Sequence, residues 1–258
     1  MILTIDIGNS STVVCCVENG ARRARFVLAS DAGRTADEYA ALLGLLADRE
    51  SIALSGISGA IIASVVPQLT PALCGAVERT TGCQSLIVGP GVKNGLNIRM
   101  EDPAELGGDL VAAAVAALER YRLPCILVDM GTATAIGVID DQGSYIGGLI
   151  CPGVALGRSS LSNGASQLAD VSLEAPKHVI GRNTRDSIQS GLLYGAAAML
   201  DGIITRVESE LGQPGTIVVT GDGARDIVPR CYHNNIFIDD DLIMRGLWSI
   251  YRKNRDAV

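Results

Sequence analysis

With 258 residues, the chain is long enough for one large domain or two lobes. A hydrophobic content of 48%, 30 glycines and few aromatic residues (two Phe, six Tyr, one Trp) fit Ala/Val/Leu/Ile strands and helices joined by tight turns, and exclude disorder. A formal net charge of −7, from 21 basic and 28 acidic residues, excludes the clustered cations that nucleic-acid binding needs.

From the amino terminus, strands are predicted over 2–7 and 12–17, with the turn "ENG" leading to a third strand near "ARFVLAS". "TADE" reads as a capping box, with Thr35 as N-cap and Glu38 three residues on, opening a helix whose apolar face is Leu42, Leu43, Leu45 and Leu46. Its role is structural. "GAIIASVVP" (59–67) predicts a buried strand stopped by Pro67, followed by a helix over 70–80 and a strand at 85–89. Pro103 is expected to open a helix through "AELGGDLVAAAVAALERY" that closes the first lobe. The second lobe restarts at "CILVDMG" with a hairpin, then "YIGGLICPG", helical stretches near 155–168 and a long helix over about 186–211. A strand at 216–221 meets a short helix from Gly223, and "DLIMRGLWSIYRK" closes the second lobe. Both halves follow one order, so the expected lobes are 1–120 and 121–258, packed about a shared cleft.

No apolar run reaches the ~20 residues of a membrane helix, and Asp6 interrupts the first apolar stretch, against a signal peptide. The expectation is a soluble, cytoplasmic protein with neither membrane nor nucleic acid as a partner. Seven cysteines without a C-x-x-C pair read as buried small hydrophobes in a reducing compartment. Cys151, between Gly-Gly and Pro-Gly, is the one to test for reactivity. His178 and His233 show no ligand-like spacing, which argues against zinc.

The most informative feature is a repeat. "LTIDIGNSSTVVCCVENG" (3–20) superposes on "ILVDMGTATAIGVIDDQG" (126–143): Asp6 on Asp129, Gly8 on Gly131, Asn9 on Thr132, Gly20 on Gly143. A single D-x-G at a hairpin is an ordinary turn, because Asp and Gly favour turns anyway. Two in phase, each followed by hydroxyls (Ser10, Ser11 and Thr12; Thr132 and Thr134), fit a phosphate grip. Amides and hydroxyls would bond phosphate oxygens, while the carboxylate manages a cation and glycine permits close approach. "VVTGDGA" (218–224) adds glycines at a helix start where adenosine can lie, or a plain strand-to-helix turn. The absence of a Walker A lysine motif and of G-x-G-x-x-G removes the main support for P-loop and Rossmann readings.

These segments resemble the superfamily of sugar kinases, heat-shock ATPases and actin, and within it the type III pantothenate kinase family. The resemblance is carried by "DIGNSSTV" (6–13), "RTADEY" (34–39), "SVVP" (64–67), "GPGVKNGL" (89–96), "DPAELGGD" (102–109), "VDMGTATAIGVID" (128–140), "YIGGLICPG" (145–153), "VIGRNTRDSIQSG" (179–191) and "VTGDGA" (219–224). It implies an α/β fold of two ribonuclease H-like lobes around a nucleotide cleft. The implied activity is ATP-dependent phosphorylation of the primary hydroxyl of pantothenate, the first step towards coenzyme A. The implied enzyme is a homodimer using Mg2+ and a monovalent cation, K+ or NH4+.

By the family pattern Asp6, Ile7, Gly8, Asn9, Ser10, Ser11, Thr12 and Val13 hold the ATP phosphates, with Asp6 also organising Mg2+. Thr132 touches ATP and Asp129 helps bind the monovalent cation. Asp109 matches the general base, within a substrate segment that also includes Gly107, Gly108 and Leu110, and Thr184 matches a substrate contact. The alternative for Asp109 is a favourable charge near a helix N-terminus. The chain departs from the pattern at two substrate-side positions: Leu110 stands where the family has arginine, and Met100 where it has tyrosine. Asp222 replaces a second glycine. Losing one charge-assisted hydrogen bond, worth ~1.5–3 kcal/mol, weakens binding roughly 10- to 100-fold unless Arg99, Arg158 or Arg182 compensates. A kinase of the same architecture acting on another hydroxyl compound, or a non-catalytic relative, are the competing expectations.

Overall fold

The computed structural model describes residues 1–164 and 171–255, which fall into two compact units. One comprises 1–96, 101–119 and 241 onward; the other comprises 97–100 and 120–240.

The first unit is built on β1 (Ile2–Ile7), β2 (Ser11–Glu18), β3 (Ala21–Ala29), β4 (Ala60–Ser64) and β5 (Ser85–Ile87), in the sheet order β3-β2-β1-β4-β5. The first three strands run antiparallel in sequence, and β4 and β5 join β1 in parallel. Both faces of central β1 are covered, so "ILTI" is buried throughout rather than alternating. Edge strand β3 alternates instead, with Ala24, Phe26 and Leu28 inward and arginines outward.

On one face, α1 (Ala36–Arg49) and α2 (Thr70–Thr81) bury Tyr39, Leu43, Leu73 and Val77 against Leu3, Ile5 and Ile7. The predicted capping box is present: the Glu38 amide donates to Thr35 Oγ1 (3.3 Å) and the Thr35 amide donates to Glu38 Oε2 (2.7 Å). This pulls the Glu38 carboxyl below its ordinary range. The fully buried Tyr39 keeps its hydroxyl satisfied, accepting from the Asp31 amide (2.9 Å) and donating to the Asp31 carbonyl (3.0 Å). Pro71 sits in the first turn of α2, and Gly82 ends the helix at φ +72°.

The other face carries α3 (Gly108–Arg120) and α7 (Leu242–Arg255). The helix expected to start at Pro103 is divided. Asp102 caps a 3-10 turn over Pro103–Glu105, Leu106 is extended, and α3 begins at the glycine pair.

The second unit repeats the plan with β7 (Cys125–Met130), β8 (Ala133–Ile139), β9 (Ser144–Pro152), β10 (Thr216–Thr220) and β11 (Ile236–Ile238). Edge strand β6 (Asn97–Ile98) pairs in parallel with β9, giving β11-β10-β7-β8-β9-β6. Removing β6 leaves the order of the first sheet. Three strands pair antiparallel in succession and two more join in parallel, which is the ribonuclease H-like arrangement in each unit. α4 (Val154–Gly164) follows β9, and residues 165–168 of the expected helical stretch lie outside the described residues. α5 (Thr184–Leu211) lays Leu193, Ala197, Leu200 and Ile204 on Ile126, Val128, Ile217 and Val219, and the short α6 (Ala224–Ile227) follows β10.

α7 (Leu242–Arg255) was expected in the second lobe, yet its residues belong to the first unit, where it packs on β1 and β4. Two glycines let it dock. A Cβ on Gly246 would lie 1.8 Å from the Ala112 carbonyl oxygen, and one on Gly59 would lie 1.8 Å from the Tyr251 hydroxyl. Ser249 on α7 donates to Glu119 on α3, and Asn254 brackets Lys93, accepting from its amide (3.0 Å) and donating to its carbonyl (2.9 Å).

Candidate functional site

In the first unit, the β1–β2 hairpin turns on Gly8, Asn9 and Ser10, closed by the Gly8 amide donating to the Ser11 carbonyl (3.0 Å). Asp6 lies near the carboxyl end of β1, opposite Val13 and beside Ala63 of β4. The eight residues of the expected ATP segment are not equivalent. Asn9 and Ser10 are exposed, and Asp6, Gly8, Ser11 and Val13 are half-buried. Ile7 is in the core, and Thr12 is fully buried with its hydroxyl on Ser30 Oγ (2.9 Å). These last two offer a ligand backbone only, so the usable hydroxyls are Ser10 and Ser11.

Asp109 stands in the first turn of α3, at the same end of the same sheet. A Cβ on Gly108 would be 3.4 Å from Val88 and 3.5 Å from Ala63 Cα, which places this turn over the ends of β4 and β5. The Leu110 amide donates to Asp109 Oδ1 (2.7 Å). Burial nevertheless raises the Asp109 carboxyl above its ordinary value, the backbone donors offsetting only part of the effect. Gly107 leaves space for this carboxylate in its present position: a Cβ there would lie 2.4 Å from Asp109 Oδ1 and 3.4 Å from Val65 Cγ1. The β4 end is tied to the hairpin as well, with the Val65 amide donating to the Ile7 carbonyl (3.0 Å). A half-desolvated carboxylate beside a glycine hairpin is suited to accepting a proton from a bound hydroxyl.

In the second unit, Asp129 is near the end of β7, between Ala135 of β8 and Thr220 of β10. The hairpin closes through the Gly131 amide on the Ala133 carbonyl (3.1 Å) and is gripped from two sides. The Gly153 amide, at the start of α4, donates to the Thr132 carbonyl (3.2 Å), and the Gly223 amide donates to the Met130 carbonyl (3.1 Å). Gly221, at φ +91°, passes so close that a Cβ would fall 2.6 Å from Asp129 Oδ1 and 2.7 Å from the Met130 backbone. Thr132 is half-buried, but Thr134 is buried in β8, pairing with Met130 as Thr12 pairs with Ile7. The "TGDGA" glycines therefore shape the surroundings of Asp129, a role the sequence did not show.

The remaining expected substrate residues are distributed between the units. Gly107, Gly108, Asp109 and Leu110 are in the first; Met100, half-buried after β6, and Thr184, exposed at the start of α5, are in the second. Asn183 caps α5, its side chain accepting from the Asp186 amide (2.8 Å). A cavity of about 600 Å³ lies beside this turn, with Lys177, His178, Arg182 and Asp186 in its wall. Of the arginines considered as compensation, Arg99 pairs with Asp140 (3.7 Å) and Arg182 lines that cavity. Cys151 is half-buried in β9 opposite Thr134, and burial pushes the Cys15, Cys125 and Cys231 thiols up to about 12. Among the described residues, no three His, Cys, Asp or Glu side chains gather as a metal cluster. A lone carboxylate in each hairpin suits a hard cation that keeps water and phosphate oxygens as its other ligands.

Comparison with solved structures gives the fold. A Campylobacter jejuni protein described as a Baf family transcriptional activator matches with TM-score 0.63 at 19% identity, covering 99% of this chain and 100% of that one. A ROK hexokinase of Thermus thermophilus matches with TM-score 0.51 at 11% identity, covering 99% of each. In sequence, a type III pantothenate kinase of Moorella thermoacetica is 39% identical over 256 residues, which cover 98% of this chain and 100% of the relative. A family model described as type III pantothenate kinase matches residues 2–206. The chain belongs to the type III pantothenate kinase family.

Proposed function

We infer that the protein transfers the γ-phosphoryl group of ATP to the primary hydroxyl of pantothenate, giving 4′-phosphopantothenate and ADP, the first step of coenzyme A biosynthesis. Family membership supplies the acceptor. The observation that carries the chemistry is Asp109, a carboxylate of weakened acidity held at the same sheet end as the Asp6–Ser11 hairpin. Phosphoryl transfer is mainly alignment and charge neutralisation. The acceptor oxygen attacks the γ-phosphorus, the bond from that phosphorus to the β,γ-bridging oxygen breaks, and ADP leaves. Asp109 orients the hydroxyl and takes its proton.

Within the two hairpins, exposed Asn9 and Ser10, half-buried Ser11 and half-buried Thr132 are the groups assigned to ATP, with Ile7, Gly8, Thr12 and Val13 contributing backbone. Asp6 fits a Mg2+ ion, which when bound neutralises charge on the phosphates. Asp129, pressed by Gly221, is assigned to the monovalent cation. A homodimer is supported by apolar side chains left open on β9 and α4: Ile150 is 81% exposed, Leu156 45% and Leu161 38%. Among the described residues no helix is long and apolar enough to cross a membrane, and a cytoplasmic location accords with the metabolic role.

One observation favours a second reading, a related acceptor: Leu110 and Met100 in place of the arginine and tyrosine of the family pattern. ADP release measured with pantothenate, pantetheine and a panel of hydroxy acids, with and without K+, separates the two. Turnover with pantothenate is the expected result. Turnover only with another acceptor supports the second reading, and none with any hydroxyl compound removes both.

A further inference from the structure

We propose that Val65 is a specificity-determining residue, the apolar wall against which the acceptor's branched carbon rests while Asp109 holds its hydroxyl. The proposal rests on Asp109 being the base, and begins from the conformation of the loop after β4.

That loop is fixed by a short hydroxyl network. The Thr70 hydroxyl donates to Ser64 Oγ (2.7 Å), the Val66 amide donates to Ser64 Oγ (3.1 Å), and the Ser64 hydroxyl lies 3.2 Å from the Val66 carbonyl. Val66 packs on the core formed with α1 and α2. Val65 has the opposite environment: it is 37% exposed, although its own amide is fixed to the hairpin at Ile7. A β-branched side chain has little rotamer freedom, so the loop presents two methyl groups in a set position.

Those methyls border the space next to the base. The point where a Gly107 Cβ would sit is 2.4 Å from Asp109 Oδ1 and 3.4 Å from Val65 Cγ1, so carboxylate and methyl flank one small volume. A hydroxyl oxygen bonded to Asp109 lies within about 3 Å of the carboxylate. Its carbon, one bond further, and the next carbon then come within van der Waals reach of Val65. Half-buried Leu106, Leu110 and Val88 belong to the same end of the unit. Pantothenate carries two methyls on the carbon adjacent to its hydroxymethyl group, which is the bulk such a wall complements. A linear or hydroxylated carbon there would leave Val65 facing a gap or water.

The test uses the full-length protein with two acceptors: pantothenate, and the analogue with two hydrogens in place of those two methyls. Removing such contacts is worth roughly 10- to 200-fold in kcat/KM. The wild type is expected to prefer pantothenate by at least about 10-fold. Val65→Ala and the near-isosteric Val65→Thr should each reduce that preference several-fold, while the KM for ATP and the Tm stay close to wild type. Val65→Ile should retain the preference. If Val65→Ala and Val65→Thr slow both acceptors equally, or leave the preference unchanged, Val65 is only a structural residue of the loop and the proposal is overturned. Absence of wild-type turnover with pantothenate is a separate outcome, which overturns the proposal together with the acceptor on which it rests.

Discussion

Asp109 and Gly107 act as one device. Burial holds the Asp109 carboxyl above its ordinary value, so its folded-state pKa exceeds the unfolded one. Its contribution to stability is fully present only below the unfolded pKa and is lost as pH rises through the folded value. At neutral pH the ionised carboxylate therefore opposes folding. Asp109→Asn is expected to raise the Tm at pH 7, with the gain shrinking towards acid pH. The same variant should lose roughly 10²–10⁴-fold in kcat; a Tm unchanged or lowered at pH 7, or near-full activity, contradicts the assignment. Gly107→Ala perturbs position rather than ionisation, because the one atom it would overlap is the end of the Asp109 side chain, Val65 Cγ1 being at ordinary contact distance. A fold of near-wild-type Tm, an unchanged KM for ATP and a kcat reduced by roughly 10²-fold are expected, as for an ångström-scale misplacement. In the sequence, Asp109 was singled out only by the family resemblance, its local pattern reading equally as a charge near a helix N-terminus. Its link to Val65 was not legible, since the two residues are joined only by tertiary packing.

At the level of elements, the hairpins were legible to within a residue or so: the predicted 2–7 strand is β1, and the repeat at 126–143 is the β7–β8 pair. Alternation explains what was misread. In β2 alternation turns Thr12 inward and leaves Ser11 accessible, and in β8 it turns Thr134 inward, while Thr132 stays accessible because it lies in the turn before the strand. β6 and β11, two and three residues long, carry no periodicity to detect. The start of α3 was placed too early because a proline at a first turn is also compatible with a separate 3-10 turn. Gly221 shows how one element supports another. Its φ of +91° and its contact with the Met130 backbone leave no room for a side chain. Gly221→Ala should cost about 1–3 kcal/mol and displace Asp129. The checks are a lowered Tm and, on the proposed assignment of Asp129 to a monovalent cation, a response of activity to K+ weaker than that of the wild type.

On the scale of the whole molecule, the duplication visible at residues 3–20 and 126–143 extends to complete sheets, and strand orders β3-β2-β1-β4-β5 and β9-β8-β7-β10-β11 are the same plan. The exception is α7, which comes after the second unit in the chain and covers the first. No local pattern announces this; it depends on Gly59 and Gly246, whose missing side chains are read only against Tyr251 and Ala112. Replacing Gly246 by Val should destabilise by about 1–3 kcal/mol or more. Hydrogen exchange should rise first in β1 and β4 and later in β7 and β10. Equal loosening of both sheets would show that α7 is not specific to the first unit.

That return of α7 has a consequence for biogenesis. As the polypeptide leaves the ribosome, β1, β4 and α3 emerge early, but α7, which completes the cover of the strands' second face, is translated only after all of β7 to β11. The half that begins first is thus completed last, and until α7 is made the part of β1 and β4 that it covers stays open to solvent.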